Sequence, residues 1–304
     1  MKIGVVGTGA VGGYFGGLLQ RDGNEVVFLA RGRNFEVMKK DGLLIISEKE
    51  SFKVHQYFTD QLSYFRDVDL ALICLKSNTT KEVAEKLLPI LKKDAWLLTL
   101  QNGVDNEEVL SDIFGANRVI SAAVYIQASV LKEGVVKQIG RPPRLVIGAV
   151  DVRNQDVAEE IASLFNKANI QTFVSEHIME VKWKKLLWNV TFNPLSALLK
   201  ISVGNILEHP QLYQTAQTIC KEAISVAQQV GMKIDDNFTK EILERGNFAK
   251  DHKTSMLQDR LRGKRMEIES ICGHIVKKGK EFQVETPVLE TIYRLLKYID
   301  SSTS

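Results

Sequence analysis

Six residues near the N-terminus, Gly7-Thr8-Gly9-Ala10-Val11-Gly12, restrict what the start of this chain can fold into. They follow an apolar, β-branched run from Ile3 to Val6. They lead into helically spaced apolar positions that reach Gln20, and a second apolar run from Val26 to Leu29 comes next. In that setting the spacing Gly-x-Gly-x-x-Gly has a mechanical meaning. The first glycine makes the tight turn out of the strand, the second admits a pyrophosphate against bare backbone, and the third lets helix pack on strand. The phosphates then face the positive end of a helix. A structural turn is the alternative for the motif alone; the flanking strand, helix and strand predict a βαβ unit that binds a dinucleotide.

Further apolar runs at Leu70 to Leu75, Trp96 to Leu100, Val119 to Val124 and Leu145 to Ile147 are separated by helical segments such as Thr80 to Leu91. Runs apolar throughout predict strands covered on both faces, as in a mostly parallel sheet. After about residue 175 the texture changes, with apolar positions three and four apart over Met179 to Leu199, Tyr213 to Val230 and Met256 to Lys280. Pro194 is expected to end or kink the first of these helices near Asn193. The predicted fold is α/β: a Rossmann-type, doubly wound, mostly parallel sheet over residues 1–175, followed by an all-helical domain over residues 176–304. A length of 304 residues suits two such domains. Disorder is expected only at the closing Ser-Ser-Thr-Ser.

The charge balance narrows the function classes. Forty basic and 37 acidic residues give a net charge of +3, and the basic residues are scattered, so no nucleic-acid partner is expected. No apolar run approaches the roughly 20 residues that span a bilayer. Met1-Lys2 passes straight into a strand without a signal-peptide pattern, so the cytoplasm is the expected compartment. Cys74, Cys220 and Cys272 are odd in number and far apart, and read as buried thiols. Cys272-x-His274 is the one near pair, and no metal site is expected there. A homodimer is left open.

After the second apolar run an NAD enzyme offers a carboxylate to the ribose, but this chain has Leu29-Ala30-Arg31-Gly32-Arg33, with Glu25 at the wrong end of the strand. A carboxylate would repel a 2′-phosphate, whereas arginine gives it planar, charged donors. NADP(H) is therefore the expected cofactor, with Arg31 the first contact and Arg33 the second candidate. Lys76 and Asn102-Gly103 follow later strands, where open α/β sheets place ligands. A surface lysine and a simple Asn-Gly turn are the respective alternatives.

The helical half opens with Lys182-Trp183-Lys184-Lys185-Leu186-Leu187-Trp188-Asn189-Val190-Thr191-Phe192-Asn193-Pro194. Lys185, Asn189 and Asn193 are four apart and project within one sector of a helix. Asparagine is a poor helix former, and a buried one needs a hydrogen-bond partner, which a ligand could be. A surface lysine with asparagines bonded to neighbouring helices is the alternative on these residues alone.

Taken with Ser255-Met256-Leu257-Gln258-Asp259, Glu267-Ile268-Glu269 and Thr286-Pro287, the pattern Lys185-x-x-x-Asn189-x-x-x-Asn193-Pro194 resembles the ketopantoate reductase family in order and spacing along nearly the whole chain. The resemblance implies NADPH-dependent reduction of 2-dehydropantoate to pantoate. It implies Lys185 as proton donor to the ketone and Asn189, Asn193 and Ser255 as holders of the keto acid. Asn102 would lie beside the nicotinamide ribose and substrate, with Glu267 reaching the cofactor. One departure stands out: the family often has an asparagine just before the position of Gly204, where this chain has Val203 and an asparagine only at Asn205. Either that contact has moved by two residues or the far end of the substrate is held differently. A related reductase of another small 2-keto acid is thus the alternative function, and a non-catalytic NADP(H) sensor a more distant one. Burial of Lys185 would lower its pKa and a nearby Glu267 would raise it, with the balance open.

Overall fold

The computed structural model describes residues 1–55 and 57–302; of the closing Ser-Ser-Thr-Ser, Thr303 and Ser304 lie outside the described residues. The chain divides into two compact units, one made of Met1–Gln101 and Asn106–Ile178, the other of Asn102–Asp105 and the residues from Met179 onward.

The first unit runs β1 (Lys2–Val6), α1 (Ala10–Arg21), β2 (Glu25–Leu29), α2 (Gly32–Asp41), β3 (Leu43–Ile46), β4 (Ser51–Val54), β5 (Phe58–Thr59), β6 (Leu70–Ile73), α3 (Thr80–Leu87) and β7 (Trp96–Thr99). It continues through α4 (Asp105–Phe114), β8 (Val119–Tyr125), β9 (Ala128–Lys132), β10 (Val135–Gln138), β11 (Arg144–Ala149), α5 (Gln155–Lys167) and β12 (Gln171–Val174). Eight strands form one sheet in the order β12-β11-β8-β7-β6-β1-β2-β5. Every neighbour pair in it is parallel except β11 with β8. Its central residues, among them Val5, Phe28, Leu72 and Leu98, are fully buried, as expected for strands covered on both faces. Since β1 lies between β2 and β6, the chain leaves it to one side and later returns on the other. Open α/β sheets bind ligands at such a switch point.

A second, four-stranded sheet, order β4-β3-β10-β9, is not anticipated by the sequence reading. Its strands are short, and β4 and β9 are partly or fully exposed at most positions and interleave polar with apolar residues. Helix α1 packs between the two sheets by presenting glycines to both. A Cβ on Gly17 would lie 2.0 Å from Ile45 Cδ1, and one on Gly12 would lie 2.3 Å from the Gly7 carbonyl oxygen.

The second unit is helical: α6 (Ile178–Leu199), α7 (Val203–Glu208), α8 (Pro210–Gln229), α9 (Phe238–Gly246), α10 (Ser255–Leu261), α11 (His274–Glu281) and α12 (Pro287–Ser301). Leu186, Leu187, Val190 and Phe192 of α6 pack in one core with Ile219 and Ala223 of α8, Ile275 of α11 and Leu289 of α12. Two expectations are corrected here. Of the end or kink expected at Pro194, the end does not occur: α6 continues to Leu199. Leu195, Ser196 and Ala197 beyond it are buried, and the Arg260 guanidinium donates to the carbonyls of Ala197 and Leu198 at the helix C-terminus. This packing and capping offset the one backbone donor that proline lacks. The stretch Met256 to Lys280 is not one helix. It breaks after Leu261, turns at Gly263 with φ +63, and resumes through a π-helical turn, Glu269–Gly273, that leads into α11.

Substituting Gly12→Ala should destabilise the first unit by about 1–3 kcal/mol, because the clash is with backbone and cannot be relieved by a rotamer change. Urea unfolding followed by circular dichroism measures this.

Candidate functional site

The glycine motif forms an open-topped turn between β1 and α1. Gly7 has φ +106, and a Cβ there would meet Leu75 at 3.0 Å, so the position demands glycine. Gly9 is the N-cap of α1 and makes no side-chain cap. A Cβ on it would meet no protein atom within 4 Å, so nothing in the chain's own packing calls for glycine there. Close approach of an anionic ligand to bare backbone does, and the first N–H groups of α1, on Ala10 and Val11, have no acceptor within the helix. The turn is held by Thr8, whose N–H and Oγ1 both donate to the Leu29 carbonyl, at 3.0 and 2.8 Å. Asn34 in α2, which no sequence signal singled out, also supports it. Its Nδ2 donates to the Thr8 carbonyl at 3.3 Å and its Oδ1 accepts from Gly134 N–H at 2.9 Å.

Arg31 is exposed as the N-cap of α2, just past β2, and Lys76 is exposed just past β6. Their strands flank β1, so both residues follow the carboxyl ends of the strands on either side of the glycine turn. Arg33 is exposed within α2, with Glu133 at 4.0 Å. Glu25 opens β2 at its far end and pairs with Lys2 at 2.9 Å. A bare-backbone turn, an open helix N-terminus and two exposed cations suit a phosphorylated dinucleotide.

In the second unit, α6 brings Lys185 to a hydrogen-bonded line. The Lys185 ammonium donates to Asn102 Oδ1 at 2.9 Å, and Asn102 Nδ2 donates to Glu267 Oε2 at 3.2 Å. Burial pushes the Lys185 pKa down to about 8, with the charge of Lys182 one turn earlier acting in the same direction and Glu267 opposing. Desolvation therefore outweighs the carboxylate. Asn189 follows one turn along, partly buried. Asn193 one turn further is only 2% exposed, and its Nδ2 has no hydrogen-bond partner. An unmet buried donor costs about 1–3 kcal/mol, which an acceptor on a bound ligand would recover. Ser255 opens α10 with its side chain exposed, next to the N-cap Thr254, whose hydroxyl accepts from Leu257 N–H at 3.2 Å.

Glu267 lies in the irregular stretch before the π-helical turn, and Asp300 near the end of α12 anchors it. The carboxylate of Asp300 accepts Met266 N–H at 2.8 Å and pairs with Arg265 Nε at 3.0 Å. Sequence reasoning does not find Asp300, which sits far along the chain outside any motif.

Val203 and Asn205 have structural roles. Val203 is fully buried in the helical core. Asn205 forms a capping box with Ser202, whose hydroxyl donates to Asn205 Oδ1 at 2.9 Å. The cap uses the carbonyl oxygen of Asn205, whose side chain is exposed. Cys220 and Cys272 are buried and Cys74 is partly buried, all as free thiols. Among the described residues no grouping of His, Cys, Asp and Glu could hold a metal ion, and no helix is long and apolar enough to cross a membrane.

These features define a nucleotide-binding α/β unit joined to a helical unit that carries a lysine of depressed pKa. Residues 3–151 match the family model described as ketopantoate reductase PanE/ApbA, and residues 177–300 match that family's C-terminal model. The chain belongs to the ketopantoate reductase PanE/ApbA family. It is 34% identical to 2-dehydropantoate 2-reductase of Pyrococcus horikoshii, covering 99% of this chain and 98% of that one. It is 31% identical to the Archaeoglobus fulgidus protein of the same name, with 99% and 98% covered. The crystal structure of 2-dehydropantoate 2-reductase from Geobacter metallireducens GS-15 superposes with a TM-score of 0.91 at 31% identity, covering 98% of this chain and 99% of that one.

The Lys185 shift carries a stability signature. Its folded pKa of about 8 lies below the ordinary 10.5, so between these values the unfolded chain binds more protons and stability rises with pH. Lys185→Met should be more stable than wild type at neutral pH and should lose that alkaline gain, as measured by urea unfolding at a series of pH values.

Proposed function

We propose that this protein is an NADPH-dependent 2-dehydropantoate 2-reductase, forming pantoate for pantothenate and coenzyme A synthesis. The observation that carries the reading is the line from Lys185 through Asn102 to Glu267, in a chain that both family models match. Gly7, Thr8, Gly9, Ala10, Val11, Gly12, Arg31 and Lys76 hold the cofactor, with Arg31 on the 2′-phosphate. Asn189, Asn193 and Ser255 hold the keto acid, and the unmet Nδ2 of Asn193 takes an acceptor from it. Asn102 serves nicotinamide ribose and substrate, and Glu267 reaches toward the cofactor.

NADPH supplies the hydride when bound. As negative charge develops on the substrate's ketone oxygen, the Lys185 ammonium stabilises it and gives up a proton, so the product is the alcohol. Lys185 is left neutral and is recharged from solvent. A pKa near 8 suits this duty: the group is protonated at neutral pH, yet it releases its proton more readily than an ordinary lysine. Asn102 fixes the direction of the ammonium, and Glu267 fixes Asn102.

Val203 favours a second reading, in which the same machinery reduces a different small 2-keto acid whose far end needs no asparagine at that point. The cytoplasm is the compartment this reading carries, supported by three free thiols. Sedimentation equilibrium tests the homodimer.

Spectrophotometric assay of NADPH oxidation with 2-dehydropantoate, beside pyruvate, 2-ketoisovalerate and NADH, decides between the two substrates. Rapid turnover confined to 2-dehydropantoate with NADPH is the expected result; turnover confined to another keto acid would move the assignment to the second reading. Lys185→Ala should lower kcat by about 10² to 10⁴ with little change in NADPH affinity. Wild-type kcat/KM should fall as pH rises through about 8, because only the protonated lysine donates. Arg31→Ala should raise KM for NADPH and leave that for NADH nearly unchanged.

A further inference from the structure

We propose that Ser270 and Asp105 are positioning residues, a buried clasp that aims Asn102 at Lys185 and thereby sets the proton-transfer geometry. This rests on Lys185 as the proton donor. The Ser270 hydroxyl is fully buried and donates to Asp105 Oδ2 at 2.5 Å. Asp105 ends the short segment Asn102–Asp105, which groups with the helical unit although the chain on either side of it does not. Asn102 and Glu267 are joined at one end of a small rectangle, and Asp105 and Ser270, each three residues further along its chain, at the other. Gly103 fills the space between. It has φ +85, and a Cβ on it would lie 2.8 Å from Ser270 Cβ and 2.5 Å from Asp105 Oδ1. Backbone, clasp and site are thus in contact without slack.

The chemistry of the two links differs in a way that assigns them different work. The link from Asn102 to Glu267 is a 3.2 Å amide-to-carboxylate hydrogen bond between two partly buried groups. Both links end on a carboxylate, but the Ser270–Asp105 bond is a hydroxyl-to-carboxylate bond of 2.5 Å against 3.2 Å, which makes it the stronger restraint. It ties the backbone that carries Asn102 to the turn that follows Glu267. Loss of the clasp leaves every group that meets the substrate in place chemically and lets one of them drift. Misplacement by about 1 Å can cost on the order of 10² in rate.

Ser270→Ala should therefore lower kcat roughly 10-fold to 100-fold, with KM for 2-dehydropantoate and the Kd for NADPH changed by about twofold or less. Asp105→Ala should reproduce this effect. Asp105→Asn retains an acceptor and should recover most of kcat. The double variant should be no slower than either single one, because both remove the same bond. A merely structural role is separated by background: with Asn102→Ala already present, Ser270→Ala should produce no further fall in kcat. Amide hydrogen exchange in peptides covering residues 100–106 should speed up in Ser270→Ala while that of α6 is unchanged. Exchange reads the clasp without turnover, so it decides the proposal even if 2-dehydropantoate proves to be the wrong substrate. Unchanged exchange over residues 100–106, or a fall in kcat that persists in full in the Asn102→Ala background, would overturn it. Asp105→Ala, read by the same exchange and kcat measurements, keeps the test open should Ser270→Ala fail to fold.

Discussion

A cation on an apolar helix is the constraint around which the helical unit is arranged. Lys185 shares its turn of α6 with Leu186 and Leu187, both fully or almost fully buried, and its ammonium is costly there unless partnered. Asn102 meets part of that cost: its carbonyl accepts from the ammonium while its amide N–H donates to Glu267. The two neighbours also fix which end of the amide is which, since an ammonium cannot accept and a carboxylate cannot donate. Desolvation and Lys182 then outweigh Glu267, and the lysine stays charged at neutral pH with its proton loosely held.

The nucleotide-binding unit solves a different problem, which is how to bring backbone close to a polyanion without side chains in the way. Gly12 allows α1 to come down on β1, and Gly17 allows the opposite face of α1 to meet β3 at Ile45. A helix held from both sides presents its N-terminus at a fixed place. Glycines lose the most entropy on ordering, and the double hydrogen bond of Thr8 to Leu29, with Asn34 bonded behind it, holds the resulting turn. The turn is thus anchored to the end of β2, the strand that also delivers Arg31.

Local patterns carried much of this into the sequence. Strands buried on both faces are apolar throughout, so β1, β2, β6, β7, β8 and β11 were legible, whereas β4, β9 and β12 leave most positions at least partly exposed and lack that signature. Pro194 misleads because its local penalty is overridden by the buried residues after it and by Arg260 capping the helix end. Spacing on α6 placed Lys185, Asn189 and Asn193 together, since helical geometry is local. Contacts across long separations were illegible in physical terms: Asn102 and Glu267 are 165 residues apart, as are Asp105 and Ser270. Motif resemblance named Asn102 and Glu267 each as a site residue but did not pair them. Nothing in the sequence named the second pair or Asp300.

The helical unit also limits where specificity can reside. Val203 is closed into the core and offers no polar contact, while the cap from Ser202 occupies only the Oδ1 of the exposed Asn205. The Nδ2 of Asn193 is the contrasting case, a donor in a site 2% exposed that the fold leaves unmet. A purely structural asparagine at that depth would be expected to satisfy its amide within the protein, because an unmet buried donor costs more than a typical hydrogen bond contributes. On the proposed reading that Asn193 holds the keto acid, this donor would meet the ligand while Val203 would offer it no polar contact. Keto acids that share a carboxylate and carbonyl but differ at the far end would then be told apart chiefly by shape and apolar contact. Such discrimination is typically worth about 1–3 kcal/mol per methylene, well below what a hydrogen-bonding site achieves.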